Sequence, residues 1–84
     1  MVEIRYFARL RERLGCEHEE LVHPGGVFPI ASLCALLAER GGIWAEEFAG
    51  QRPIMAAINE QLESLQAPIQ DGDVVALFPP VTGG

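Results

Sequence analysis

Hydrophobic and polar residues alternate strictly at the start of the chain. Residues 2–7, VEIRYF, predict a half-buried strand, one face of which carries Val2, Ile4 and Tyr6 and the other Glu3, Arg5 and Phe7. The next stretch, ARLRERLG, consists of strong helix formers and ends at Gly15, so it predicts one or two helical turns. Residues 17–23 precede a PGG turn signal and predict a second strand that returns antiparallel to the first.

A helical period of apolar residues begins at Ile30. Its stripe, typical of a helix that faces a core, comprises Ile30, Leu33, Cys34, Leu37 and Ala38. Pro29 suits the first turn of this helix, and we expect Gly41 and Gly42 to end it. The segment IWAEEF, residues 43–48, predicts a further short turn of helix.

The rest of the chain is strand-like. The segments IMAAIN and LES predict a small hairpin with a tight connection at Glu60 and Gln61. The DGD sequence at 71–73 is typical of a turn, and the apolar run VVALF at 74–78 predicts a strand in the interior of a sheet.

The predicted order of elements is strand, strand, helix, strand, short strand, strand. This ββαββ pattern indicates an α+β fold of the ubiquitin-like β-grasp type, in which one main helix covers a mixed sheet. By analogy with that fold, the first and last strands should run parallel and adjacent. We expect residues 1–78 to form this domain and residues 79–84 to form an extended C-terminal tail.

Composition and charge narrow the possible partners. The 84 residues suffice for one domain, and six basic against twelve acidic residues give a net charge of −6. This charge repels phosphate backbones and anionic lipid, so we expect neither nucleic acid nor membrane as a partner. All the basic residues are arginine, so no lysine can accept an isopeptide bond. With two cysteines and no apolar run of about 20 residues, a cytoplasmic protein is expected.

Few side chains outside the tail suggest chemistry. Cys34 lies on the apolar stripe of the main helix, where cysteine usually acts as a small hydrophobic residue. Cys16, His18 and Glu20 alternate on one strand face, but no fourth ligand follows, so a solvated strand face is the better interpretation. No metal site or catalytic set is therefore expected here.

The sequence FPPVTGG, residues 78–84, has a distinctive physical character. Pro79 and Pro80 lack backbone donors and so prevent further ladder pairing, while Val81 and Thr82 favour extended geometry. Because the two glycines that follow, Gly83 and Gly84, have no side chains, this tail could enter a narrow channel in another protein. The alternative is an inert, frayed end.

A tail of this shape delivers a carboxylate. An ionised carboxylate is a poor electrophile, so it must first be activated, most simply as an acyl-adenylate made with ATP. The activated carbonyl can then accept sulfur to form a thiocarboxylate, or an amine to form a peptide-like bond. Neither reaction needs a catalytic side chain in this chain.

Three segments together resemble the small subunit of molybdopterin synthase: the end DGDVVALFPPVTGG, the start VEIRYFARLRE and the central AAINEQL at 56–62. The resemblance implies a β-grasp fold and a thiocarboxylate on Gly84 that donates sulfur to a cyclic pyranopterin monophosphate, building the molybdopterin dithiolene. It implies two partners: the large, catalytic subunit, in a heterotetramer, and an adenylating enzyme that uses ATP. The chain itself would bind no cofactor and would act as the sulfur donor of a sulfurtransferase.

Two aromatic residues and an arginine are candidates for partner binding. If the first and last strands are parallel neighbours, Phe7 and Phe78 lie close together beside the tail as an exposed pair that could anchor the large subunit. A single ring could instead pack against a loop. Arg11 either pairs with an acidic group of a partner or only solvates a helix face.

Two other functions stay open. The first is a sulfur carrier or modifier of another pathway, such as tRNA thiolation, thiazole synthesis or protein conjugation. Ubiquitin-type modifiers carry arginine before the two glycines, whereas this chain has Thr82. The second is a β-grasp binding module with an inert tail.

Overall fold

A five-stranded mixed sheet forms the centre of the protein. The structure, a computed structural model, describes residues 1–80. Its elements in chain order are β1 (Val2–Tyr6), α1 (Ala8–Leu14), β2 (His18–Leu21), α2 (Ile30–Ala38), α3 (Gly42–Phe48), β3 (Met55–Ile58), β4 (Gln61–Glu63) and β5 (Val74–Phe78). The strands lie in the order β2-β1-β5-β3-β4. The predicted β-grasp fold is confirmed.

The predicted strand pairings are confirmed, and the structure adds the pairing of β3 with β5, which the sequence did not predict. β1 and β5 are parallel, with Ile4 opposite Val75, and β5 lies between β1 and β3. β2 returns antiparallel to β1, and β3 is antiparallel to both β4 and β5. The continuous apolar run of β5 is thus explained, because a central strand has neighbours on both sides.

The hydrophobic core lies between one face of the sheet and the helices. The sheet contributes the residues that alternation placed on the inner face, which are Val2, Ile4, Tyr6, Ala56, Val75 and Leu77. The helices contribute Leu10, Ile30, Leu33, Leu37 and Phe48. Burial of each large apolar side chain stabilises the fold by about 2 kcal/mol. The helical stripe and the strand alternation therefore meet in one core.

The boundaries of the main helix differ from the prediction. Pro29 is the N-cap of α2 and not part of its first turn, because its ψ of 157° is extended. The helix ends at Ala38 and not at the glycine pair. Arg40, in the turn that follows, donates two hydrogen bonds to Glu19 on β2, with nitrogen–oxygen distances of 2.9 and 2.7 Å. Gly41 instead precedes α3, where its φ of 77° reverses the chain.

The hairpin connection also lies one residue earlier than predicted. Asn59 and Glu60 form the turn, with φ values of 49° and 70°, and Gln61 already pairs with Ile58. A two-residue turn with positive φ at both positions matches the twist of the flanking strands. The Asn59 side chain stabilises this register, since its Oδ1 accepts a hydrogen bond of 2.9 Å from the Val74 N–H.

The helices are short. α2 has nine residues, and α1 and α3 have seven each. Spanning a bilayer takes about 20 residues of helix. Among residues 1–80, no helix is long and apolar enough to cross a membrane.

Candidate functional site

The chain leaves the sheet at the end of β5. Phe78 is the last residue of this strand to pair, with Met55 of β3 opposite it. Pro79 and Pro80 follow outside any strand and are half-buried. Because proline has no backbone N–H, the ladder ends here, as the sequence predicted.

Four of the predicted site residues lie outside the described residues. These are Val81, Thr82, Gly83 and Gly84. The extended conformation and the reactive carboxyl group assigned to them stay predictions.

Phe7 projects from a firmly held backbone. Its N–H donates a hydrogen bond of 3.1 Å to the Leu77 carbonyl oxygen, and its own carbonyl accepts one of 3.2 Å from the Leu10 N–H. The following residue, Ala8, has a positive φ of 54°, which turns the chain from β1 into α1. The phenyl ring of Phe7 is 43% exposed. A rigid exposed aromatic residue of this kind is a typical anchor for a partner.

In the parallel ladder between β1 and β5, the last pair is Tyr6 opposite Leu77, and Phe7 and Phe78 are the residues that follow this pair. The predicted exposed pair is only partly right, because Phe78 is half-buried. Phe78 lies on the central strand and has Met55 as a neighbour on its other side. Among the described residues, no aromatic contact joins the two rings.

The sheet face opposite the core carries more apolar residues than the sequence suggested. We name as the outer face the residues Phe7, Met55, Ala57, Leu62, Ala76 and Phe78. Ala57 lies between Ala76 and Leu62 in the ladder, and Leu62 is 61% exposed. In the described part of the chain, the core-forming helices pack on the other side of the sheet. Apolar patches of this kind are frequent at protein-binding surfaces, so the outer face is a candidate docking surface.

Met55, Ala57 and Leu62 were missed by sequence reasoning. Their segments were recognised as a hairpin, but a hairpin by itself does not show which strand lies beside it. The register with β5 aligns Met55 with Phe78 and Ala57 with Ala76. Alternation along β5 already placed Ala76 on this face beside Phe78, and the cross-strand register extends the patch onto β3 and β4.

Two shallow depressions flank Phe7 on the outer side of the sheet. One, of about 360 Å³, is lined by Phe7 together with Arg11 and Glu17. The other, of about 300 Å³, lies between Phe7 and the Asn59 turn. Arg11 is 54% exposed, and its Nη1 lies 4.0 Å from Glu17 Oε1. The structure thus brings Arg11 and Phe7 together, with the guanidinium accessible to an acidic group of a partner.

Titratable groups near the core do not add a reactive centre. Burial raises the pKa of the Cys34 thiol to about 11, so at neutral pH it is an un-ionised, unreactive thiol. Burial also raises the pKa of Cys16, which is half-buried. Within residues 1–80, no three His, Cys, Asp or Glu side chains come together as metal ligands. The described residues thus form a candidate docking surface beside the point where the chain leaves the sheet.

Known proteins share both sequence and fold with this chain. Residues 4–84 match the ThiS family. The molybdopterin synthase sulfur carrier subunit of Escherichia coli (strain K12) is 36% identical over 85 residues, with 100% of both chains covered.

Two solved structures extend the comparison. One chain in the protein–protein complex of subunits 1 and 2 of molybdopterin-converting factor from Helicobacter pylori 26695 is 30% identical, with a TM-score of 0.64 and coverage of 99% of this chain and 97% of that one. SAMP1 from Haloferax volcanii, a small archaeal modifier protein, is 26% identical, with a TM-score of 0.72 and coverage of 99% and 98%.

Proposed function

The chain belongs to the ThiS family and, within it, to the molybdopterin synthase sulfur carrier subunits, and from this premise we propose that it carries sulfur as a thiocarboxylate on Gly84. The observation that carries the proposal is the position of the uncovered outer face. It lies beside Phe78, where Pro79 and Pro80 end the ladder. A partner that binds this face is therefore placed next to the root of the tail that carries Gly84.

Loading of sulfur takes two steps. A carboxylate oxygen of Gly84 attacks the α-phosphorus of ATP, which forms an acyl-adenylate and releases pyrophosphate. Sulfide then attacks the acyl carbon and AMP leaves with the bonding electron pair, which gives the thiocarboxylate directly. With a persulfide donor the same attack gives an acyl disulfide, and a thiol of the donor then cleaves its S–S bond, which releases the thiocarboxylate and leaves a disulfide on the donor. The product is a terminal thiocarboxylate. ATP binds to the adenylating enzyme in this scheme and not to the carrier.

Delivery takes place inside the large subunit. The thiocarboxylate sulfur attacks a carbon of the cyclic pyranopterin monophosphate, and the oxygen substituent of that carbon leaves, either as water or by opening of the cyclic phosphate ester. Water then hydrolyses the resulting thioester, so that the sulfur stays on the pterin and Gly84 returns to a carboxylate. Two such transfers supply the two sulfurs of the dithiolene. The catalytic side chains are expected on the large subunit, with which the carrier forms a heterotetramer.

The contribution of this chain is positioning. Phe7, Phe78 and their apolar neighbours supply a rigid surface on the sheet, and Arg11 supplies an accessible cation at its rim. A site of this construction holds the root of the tail, so that Val81 to Gly84 are directed into the partner. The solved complex of subunits 1 and 2 of the Helicobacter pylori protein supports binding to a second subunit.

The proposal is tested by reconstitution. Incubation with the adenylating enzyme, ATP and a sulfur donor should raise the intact mass by the replacement of one oxygen by sulfur. The loaded protein, mixed with the large subunit and the pyranopterin precursor, should then yield dithiolene product. A matched variant with one alanine added after Gly84 should gain no sulfur. Sulfur loading of the extended variant, or no loading of the unextended protein, would contradict the proposal.

A second function is favoured by the likeness to SAMP1, a modifier protein. The activated Gly84 carbonyl would then be transferred to an amine of another protein, or its sulfur would enter a different product. The reconstitution separates these functions, because only the molybdopterin carrier gives dithiolene from the pterin precursor. An inert binding module would tolerate the added alanine.

A further inference from the structure

A buried carboxylate, missed by sequence reasoning, joins α1, α3 and the loop before β3. Glu47 is fully buried, with an exposure of 0%. Its Oε2 lies 2.7 Å from Arg13 Nε and 2.8 Å from Arg52 Nη1. Its Oε1 lies 3.6 Å from Arg9 Nη2, and Arg13 also binds Glu46 at 2.8 Å. We name these five residues the arginine cluster.

The arginine cluster is more positive than its buried carboxylate needs. A buried carboxylate requires a counter-charge, and Arg13 and Arg52 already supply two at hydrogen-bonding distance. Three arginines against two glutamates leave this cluster a net charge of +1, on a chain whose net charge is −6. The cluster is therefore a local exception to the charge of the whole molecule.

Arg9 is the member that can bind something else. It is 46% exposed, and among residues 1–80 no hydrogen bond from its guanidinium is found. Its Nη2 lies 3.6 Å from Glu47 Oε1, a buried oxygen that has no hydrogen-bond partner among residues 1–80, so it supplies charge to that atom without a close contact and its other N–H groups stay free of the cluster. Its donors are thus available to an anionic group of another molecule.

The position of the cluster relates it to the tail. α1 begins directly after Phe7, which is hydrogen-bonded to Leu77 near the end of β5. The loop that carries Arg52 leads into Met55, which lies opposite Phe78. Arg9 and Arg52 therefore lie at the end of the sheet where the chain leaves it, whereas Glu47 joins them from the helical layer.

We propose that Arg9 binds carboxylates of an acidic segment of the adenylating enzyme, as a contact separate from the outer face. This inference rests on the proposed function. The adenylating enzyme must bring a carrier of charge −6 to anionic ATP, and a cation beside the tail reduces that repulsion and orients the approach. In this scheme ATP reacts with Gly84, which is four residues beyond Pro80. Four extended residues span up to about 13 Å. We therefore expect the anions nearest to Arg9 to be carboxylates of the enzyme and not the phosphates of ATP.

Calorimetric binding to the adenylating enzyme without ATP tests the inference. Arg9→Gln should weaken binding about 3-fold and Arg9→Glu about 10-fold, and both effects should shrink at high salt. The control is Gln70→Glu, which makes the same charge change as Arg9→Gln at the exposed, opposite end of the sheet, next to the turn before β5. It should bind like the wild type. Both Arg9 variants should fold, because Glu47 keeps Arg13 and Arg52.

The outcomes distinguish the inference from the proposed function. Equal affinity of the wild type and both Arg9 variants would overturn the inference, as would an equal loss in Gln70→Glu, which would indicate general charge repulsion. If the Arg9 variants lose affinity only when ATP is present, Arg9 contacts the nucleotide and not the enzyme, and the inference is overturned. If the wild type is adenylated normally in these cases, the proposed function stands. A wild type that binds the enzyme but is never adenylated would overturn both.

Discussion

At the scale of single residues, three non-glycine positions with positive φ shape the site. In residues 1–80 these are Ala8, Asn59 and Glu60. Such a conformation costs a residue with a Cβ roughly 1 kcal/mol. Ala8 turns the chain directly after Phe7, and Asn59 and Glu60 border the depression on the other side of that ring. Local backbone strain is thus found on both sides of the candidate anchor.

Two substitutions in the Asn59-Glu60 turn should change the free energy of unfolding in opposite directions. Asn59→Ala should destabilise the fold by about 1–2 kcal/mol, because Asn59 bonds both the Val74 N–H and Asp73 Oδ1. Glu60→Gly should stabilise it by about 0.5–1 kcal/mol, since glycine adopts positive φ without strain and Asn-Gly is the favoured hairpin pair. Urea unfolding at constant m-value measures both changes. Two changes of the same sign would contradict the assigned turn.

At the scale of elements, one polar network ties β1, β2 and the α2–α3 connection together. Glu19 of β2 accepts a hydrogen bond of 2.7 Å from the Tyr6 hydroxyl and two from Arg40. Arg40 also lies 4.4 Å from the ring centroid of Trp44. The hydrogen bonds from Arg40, followed by the one from Tyr6, lower the pKa of the Glu19 carboxyl despite its partial burial. Desolvation by burial, followed by the bond to Glu19, raises the pKa of Tyr6 above its usual range.

The network predicts a pH-dependent loss of stability. Because the pKa of Glu19 is lowered in the folded state, its stabilisation is present above the usual glutamate pKa of about 4.3 and is lost as pH falls below it. Arg40→Gln should therefore cost about 1 kcal/mol at pH 7, allowing for the partial exposure of both groups, and less at pH 3. Chemical unfolding at the two pH values gives the difference. A cost that does not change with pH would show that Arg40 acts by packing on Trp44 alone.

The helices and strands also show which features of the fold the sequence patterns predicted correctly. Every predicted strand and helix is present, because apolar periodicity, continuous apolar runs and turn signals are all local features of the sequence. The boundaries that were wrong are those at Pro29, Ala38 and Gln61. A long-range hydrogen bond lies beside each of them, from Ile30 N–H to the Ala67 carbonyl, from Arg40 to Glu19 and from Val74 N–H to Asn59 Oδ1. A local pattern does not show such contacts.

At the scale of the whole molecule, the two faces of the sheet have different roles. The inner face binds the helices in the core, while the outer face keeps an apolar patch beside the end of β5. The arginine cluster lies at the same end. The molecule thus presents its recognition groups around the point where its tail begins.

The outer face predicts the effect of anchor substitutions on binding of the large subunit. Phe7→Ala and Phe78→Ala should each weaken the complex about 10-fold or more, since aromatic anchors dominate such interfaces. Both variants should keep the fold, because neither ring belongs to the core cluster. Leu36→Ala, an exposed residue on α2 in the helical layer, is the matched control and should bind normally. Calorimetry measures the affinities, and unchanged binding of both phenylalanine variants would remove this surface from the site.

The sequence by itself determined the elements and the chemical character of the tail, whereas the parallel pairing of the first and last strands was expected only by analogy with the fold. The elements and the character of the tail follow from local rules: apolar periodicity, the missing donor of proline and the missing side chain of glycine. The tertiary structure alone decided that Met55 and Leu62 extend the outer face and that Glu47 is buried among three arginines. Those features depend on cross-strand register and on the packing of elements far apart in the chain, which no local pattern encodes.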